Sequence, residues 1–213
     1  NYRDNPEKFI DRLYKMHLNK PLGVIIPGET EPFIPYPNVS PWSGISLVQL
    51  SVGYEVQMTP LQVLSLYNAV ANNGCMLRPI FIEELRFRGQ TIKSYLPEII
   101  DPSICSQQTL AKARIMLEGV ILNGTGRLLQ NPDFSIAGKT GTAQLNYGLD
   151  SSKNEYHASF AGYFPADNPK YSIIVSIYEP QQNGYYGGQV AVPVFKEIVE
   201  KIYASDPAFY KEH

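Results

Sequence analysis

Three segments of strand character follow one another late in the chain: Phe134 to Ala143, His157 to Phe164 and Tyr171 to Tyr178. No other feature constrains the fold as strongly. The last two are rich in β-branched and aromatic residues, which suit a pleated, half-buried surface. Only a short connection around Asn168-Pro169 separates them, so they read as a hairpin. A closing helix follows, with Pro193 near its start and Val194, Phe195, Ile198, Val199 and Ile202 turned inward. Helices, then a strand meander, then a terminal helix predict an α+β domain with an antiparallel sheet flanked by helices.

The first half supplies the other helices. Asn5 is a plausible cap, Pro6 sits at the first helical position, and Phe9, Ile10, Leu13 and Met16 recur at helical spacing until Asn19-Lys20-Pro21. Residues 27–41 hold Pro27, Pro32, Pro35, Pro37 and Pro41 and read as a long ordered loop. Thr59-Pro60-Leu61-Gln62 carries a capping box with proline at the first turn. Pro60, Val63, Leu64, Tyr67, Val70 and Ala71 then share a face, and Asn73-Gly74 supplies a left-handed stop. Phe81 to Phe87 reads as a strand. A further helix from Ser106 places Leu110, Ala113, Leu117, Val120 and Ile121 on one face and ends at Asn123-Gly124.

Composition removes several function classes. The 213 residues carry 18 basic and 20 acidic side chains, so no basic excess marks a nucleic-acid binder. No apolar stretch approaches the roughly 20 residues of a membrane span. Cys75 and Cys105 alone make neither a disulfide framework nor a four-ligand zinc site. No cofactor is expected. Cys75 reads as a small loop residue, Cys105 as a packed one, and His157 as a ligand contact or a hydrogen-bonded surface histidine. Asp150, Glu155 and Glu179 read as charged loop residues.

The chemistry concentrates in Ala137-Gly138-Lys139-Thr140-Gly141-Thr142-Ala143. Glycine is disfavoured in strands unless a backbone or ligand approaches closely. Alternation sends Lys139 and Gly141 to one face and Thr140 and Thr142 to the other. Bare Gly141 leaves room beside an ammonium, the threonine hydroxyls suit a carboxylate, and the strand backbone suits an extended peptide. A phosphate loop would need glycine where Asp133 stands and a helix beginning near Lys139. The alternative is the Lys-Thr-Gly strand of penicillin-recognising serine acyltransferases.

The surrounding segments resemble class B penicillin-binding proteins. They are Ser51 to Gln62, Asn68 to Gly74 with Arg78-Pro79, the Gly124-Thr125-Gly126 turn, Lys139 to Gln144, Phe160 to Pro165, and Tyr185-Tyr186-Gly187-Gly188 with Ala191 to Phe195. Their order from about residue 20 to about residue 200 identifies a peptidoglycan transpeptidase domain, nearer the septal cell-division type than the elongation type. The resemblance implies an enzyme whose serine attacks the D-Ala–D-Ala bond of a stem peptide, forms an acyl-enzyme, and is acylated by β-lactams. It implies a parent protein held by a single span in the bacterial inner membrane, with this domain on the extracytoplasmic side. Division or elongation complex proteins are the implied partners.

The family's Ser-x-x-Lys nucleophile motif occurs nowhere in these residues. The one Ser-x-Asn, Ser152-Lys153-Asn154, follows the Lys-Thr-Gly strand and reads as a decoy. The chain therefore looks like the C-terminal part of one transpeptidase domain, helical over about 1–125, with the sheet and last helix over about 126–205. It is expected to be inactive alone, and an exposed apolar face is expected to promote self-association. By resemblance Lys139 brings positive charge to the cleft, Thr140, Gly141 and Thr142 bind substrate, and the Thr142 backbone N–H is an oxyanion donor. Tyr185 and Tyr186 match an aromatic edge beside the substrate, or are surface tyrosines of a glycine-rich turn. Gly187 and Gly188 are expected to let that loop turn tightly. Two other readings are a non-catalytic β-lactam or peptide-binding sensor and a serine β-lactamase. Against the latter stand residues 51–79 and the absence of Glu-x-x-Leu-Asn.

Overall fold

The computed structural model describes residues 2–145, 155–182 and 184–209, with the side chain of Ala208 left aside. Ser152-Lys153-Asn154 and Asp150 lie outside the described residues. The chain forms two compact units, 1–107 and 108–213.

The first unit combines three short helices with two small two-stranded sheets and long irregular segments. α1 (Glu7–Lys15) buries Ile10, around which Phe9, Leu13 and Met16 pack. It begins one residue later than expected, with Pro6 as the flanking residue, and it ends early because His17 takes a left-handed conformation, φ 60°. The proline-rich segment is irregular apart from a bridge between Phe33 and Gln57. α2 (Ser46–Val52) leads into α3 (Pro60–Ala71), whose capping box is formed: Gln62 N–H donates to Thr59 Oγ1 at 3.2 Å, and Thr59 N–H donates to Gln62 Oε1 at 2.7 Å. Asn73 and Gly74 both have positive φ, the expected stop. The most buried residues of α3 include Gln62, Ser65 and Ala69, a line of small and polar side chains beside the expected apolar face. Close packing there selects small volume over hydrophobicity. β1 (Met76–Leu77) pairs with β4 (Ile99–Asp101), and β2 (Glu84–Phe87) with β3 (Gln90–Ser94). The strand expected from Phe81 is thus confined to its last four residues.

The second unit holds the sheet. α4 (Gln107–Asn123) groups with it, whereas the sequence reading placed this helix in the helical part. Leu110 and Ile121 are buried as expected, while Ile115, Met116 and Leu122 are exposed on its other side. β5 (Ala137–Leu145), β6 (Glu155–Phe164) and β7 (Tyr171–Tyr178) form an antiparallel sheet in that order, with the hairpin at Asn168-Pro169 in place. β5 starts three residues after the expected Phe134, because that ring leaves the strand path to pack in tilted contact with Phe164 and Tyr203, centroids 5.8 and 4.6 Å away.

α5 (Gly187–Ser205) crosses one face. Phe160 and Phe164 of β6 meet Val192, Phe195 and Val199 of α5, with Ile121 and Leu129 at the margin. Each buried aromatic here contributes about 2–3 kcal/mol. Two expectations fail on this helix. Pro193 lies inside α5 rather than near its start, and Val194 is 43% exposed while Val192 is fully buried. The helix begins at Gly187, so the apolar stripe follows the rotation of a longer helix than the one read from Pro193 onward. On the opposite face of the sheet Tyr163 is fully buried, and its hydroxyl has no hydrogen-bond partner among the described residues. Burial pushes its pKa up to about 12.

Candidate active-site edge

β5 pairs with β6 on one side, and no described strand pairs with its other side. Register puts Lys139 and Gly141 opposite Ala161 and Ser159 on one face, and Thr140 and Thr142 opposite Phe160 and Ala158 on the other. The predicted alternation therefore holds. The lysine stem is long enough to fold over the open edge. Lys139 Nζ donates to Thr140 O at 2.8 Å and to Thr140 Oγ1 at 3.1 Å. Thr140 Oγ1 is in turn 2.7 Å from Thr125 Oγ1, in the Gly124-Thr125-Gly126 turn. An ammonium and two hydroxyls thus form one hydrogen-bonded row. Lys139 is exposed, and no carboxylate among the described residues pairs with it.

Two residues along, Thr142 Oγ1 accepts from Gly187 N–H at 3.0 Å, at the N-terminus of α5. Using that oxygen as acceptor leaves the Thr142 proton free to be donated. The α5 N-terminus adds partial positive charge at the same place. The edge is therefore electropositive and rich in donors, which suits a carboxylate on an extended chain.

The glycines act through contact. A Cβ on Gly141 would lie 2.5 Å from Ser159 Oγ, so the room expected beside the ammonium is taken by the serine hydroxyl. A Cβ on Gly187 would lie 2.4 Å from Ser159 O and 2.5 Å from Gly141 O. Gly187 and Gly188 are therefore not a tight turn. They open α5 and let it approach the strands, while the positive φ, 93°, falls at Gly184.

Tyr185 stacks on Tyr156 with centroids 4.0 Å apart and donates its hydroxyl to Tyr186 Oη at 3.1 Å. That hydrogen bond, and then the neighbouring phenol's charge, raise the Tyr185 pKa. Tyr186 is half exposed. Sequence reasoning placed Tyr185 and Tyr186 together but missed Tyr156, Ser159 and Thr125 as neighbours of this edge. The usable signal for Thr125 was its place in a matched glycine turn. Tyr156 and Ser159 carried only strand character.

His157 fits the ordinary reading. It is half-buried, its Nε2 lies 2.6 Å from Ser176 Oγ, and its ring stacks on Tyr178 at 4.0 Å. Burial lowers its pKa below the usual histidine value. The folded state therefore stays neutral where the unfolded chain already takes up a proton, so stability falls as pH drops below about 6.5. The thermal midpoint of the wild-type chain is expected to decline between about pH 7.5 and pH 5.5, and His157→Gln is expected to flatten that decline. An unchanged slope in the variant would assign it to other groups. Cys75 and Cys105 are free, and burial raises the Cys105 thiol, which removes nucleophilic character.

Comparison with known proteins gives a consistent result. The family profile described as penicillin binding protein transpeptidase domain matches residues 3–200. Penicillin-binding protein PbpB of Mycobacterium tuberculosis is 34% identical over 207 residues, covering 92% of this chain and 30% of that protein. Peptidoglycan D,D-transpeptidase FtsI of Buchnera aphidicola is 31% identical over 196 residues, covering 92% of this chain and 33% of that protein. The chain thus spans about a third of the length of these relatives. Among solved structures, apo penicillin-binding protein 3 of M. tuberculosis superposes with a TM-score of 0.79 at 32% identity, covering 94% of this chain and 46% of that one. The same protein complexed with ampicillin superposes at 0.78. The expected α+β fold is borne out by these likenesses.

Proposed function

Because the chain belongs to the penicillin-binding protein transpeptidase domain family, we propose that it is the substrate-gripping part of a peptidoglycan D,D-transpeptidase. The observation that carries this reading is the row Lys139–Thr140–Thr125 along an unpaired strand edge. A stem peptide lies along β5, with its terminal carboxylate taken by Lys139 and by the Thr140 and Thr142 hydroxyls. The Thr142 backbone N–H is one donor to the oxyanion. Tyr185 and Tyr186 form the aromatic edge of the cleft.

The nucleophile is a serine outside these residues. It attacks the carbonyl of the penultimate D-Ala, and the peptide bond breaks with loss of the terminal D-Ala as an amine. An ester to the enzyme remains, and an amine of a neighbouring stem peptide replaces the serine. A β-lactam acylates the same serine by ring opening. The parent protein is held by a single span in the bacterial inner membrane, with this domain on the extracytoplasmic side, and works with division or elongation complex proteins.

The test is covalent labelling with a fluorescent penicillin. The 213 residues alone stay unlabelled, and the longer protein that contains them is labelled at a serine outside this chain. Labelling of the isolated chain would reveal a different nucleophile. A longer protein that binds penicillin without covalent capture would support a sensor instead, and fast nitrocefin turnover by it would indicate a β-lactamase.

A further inference from the structure

The turn Gly124-Thr125-Gly126 is held in a fixed place beside β5. Gly124 N–H and Gly126 N–H both donate to Val120 O, at 3.0 and 3.1 Å, which folds the turn back onto the end of α4. A Cβ on Gly126 would lie 2.6 Å from Ile121 Cδ1, and one on Gly188 would lie 3.2 Å from Thr125 O. Bare glycines on both sides thus let the turn sit close to α4 and to the start of α5. The Thr125 side chain is exposed, and among the described residues its hydroxyl has one partner, Thr140 Oγ1 at 2.7 Å. A surface hydroxyl gains little stability from such a bond, because water serves it nearly as well. The consequence falls on Thr140.

We propose, resting on the transpeptidase reading of β5, that Thr125 is a positioning residue that makes this edge select a terminal carboxylate over a terminal carboxamide. A threonine hydroxyl has two acceptor lone pairs and one proton. At Thr140 the Lys139 ammonium donates into one lone pair at 3.1 Å. Donation by Thr125 fills the other at 2.7 Å. What remains to Thr140 Oγ1 is its own proton, so toward a substrate it acts as a donor only. Thr142 Oγ1 likewise accepts from Gly187 N–H at 3.0 Å and keeps its proton for donation. The two threonines share one face of β5. A carboxylate accepts from both. A carboxamide accepts through one oxygen, and no lone pair of Thr140 is left to take its N–H. A polar site rejects a near-isostere most strongly where buried donors and acceptors go unanswered in this way.

The test compares acylation of the longer protein by a fluorescent penicillin and by the carboxamide of the same compound. Thr125→Val keeps the shape of an exposed side chain and removes the donor. The acylation rate constant for the acid is expected to fall about tenfold, the worth of one hydrogen bond. The rate constant for the amide is expected not to fall, because the freed lone pair of Thr140 now accepts an amide N–H. Thr125→Ser, which keeps the hydroxyl, is expected to restore the preference for the acid. An unchanged ratio of acid to amide rates in Thr125→Val overturns the proposal, whether both rates hold or both fall together, the latter being the mark of a displaced turn. Failure of Thr125→Ser to restore the ratio overturns it as well. A wild-type longer protein that neither compound labels removes the transpeptidase reading itself, and the selectivity with it.

Discussion

Lys139→Ala in the longer protein is expected to slow acylation by a fluorescent penicillin by about 10²–10³-fold, the scale of removing one preorganised electrostatic contact. The ammonium donates into Thr140 O and Thr140 Oγ1, and the latter contacts Thr125 Oγ1. Removing it takes away the edge's one side-chain cation and one donor that orients the hydroxyl row. Lys139→Arg is not expected to restore the rate. A planar guanidinium cannot place one nitrogen between two oxygens of the same residue as a compact ammonium does. Lys139 is exposed and makes these bonds to its own neighbour, so the unfolding midpoint is expected to stay near the wild-type value. A wild-type acylation rate in Lys139→Ala would remove the strand from the chemistry. A collapse of stability would make the lysine structural.

Gly187→Ala is expected to destabilise the second unit by about 3 kcal/mol, the upper range for forced overpacking. The added Cβ meets Ser159 O at 2.4 Å and Gly141 O at 2.5 Å, which are backbone atoms of β6 and β5. Neither carbonyl can withdraw without loosening the β5–β6 ladder, and α5 cannot lift without losing the Gly187 bond to Thr142. Gly188→Ala is the internal control. Its Cβ meets Thr125 O at 3.2 Å, a contact that a small shift relieves, and alanine gains about 1 kcal/mol over glycine in a helix. Denaturant midpoints of the two variants are expected to separate widely. Equal midpoints would show that the helix start yields to the added methyl group.

The two variants separate chemistry from architecture, and the same division describes what could be read beforehand. The α3 cap was legible because a capping box involves residues three apart, and such bonds form wherever the helix does. The β6–β7 hairpin was legible because its connection is short, β6 is rich in aromatic residues and β7 in β-branched ones. The start of β5 was not, because Phe134 obeys a contact with Tyr203, which lies far along the chain. The inward face of α5 was misjudged at Val194 because the helix starts at Gly187, where close approach to the sheet makes glycine necessary. At the candidate site, Lys139, Thr140 and Thr142 stand together in one strand, so their grouping was legible. Thr125, Ser159 and Tyr156 come to the same edge from a turn and from the neighbouring strand.

The amino-acid order by itself determined the kinds of element, the antiparallel hairpin, and the cluster of cation and hydroxyls on one short strand. These depend on local propensity and on spacing of a few residues. Only the tertiary structure decided that β5 has no second partner among the described strands, that Lys139 reaches over that side to Thr140, and that Gly187 admits a helix against two backbones. Those outcomes rest on register and on contact between segments distant in sequence, where a displacement of one residue sends every side chain to the other face.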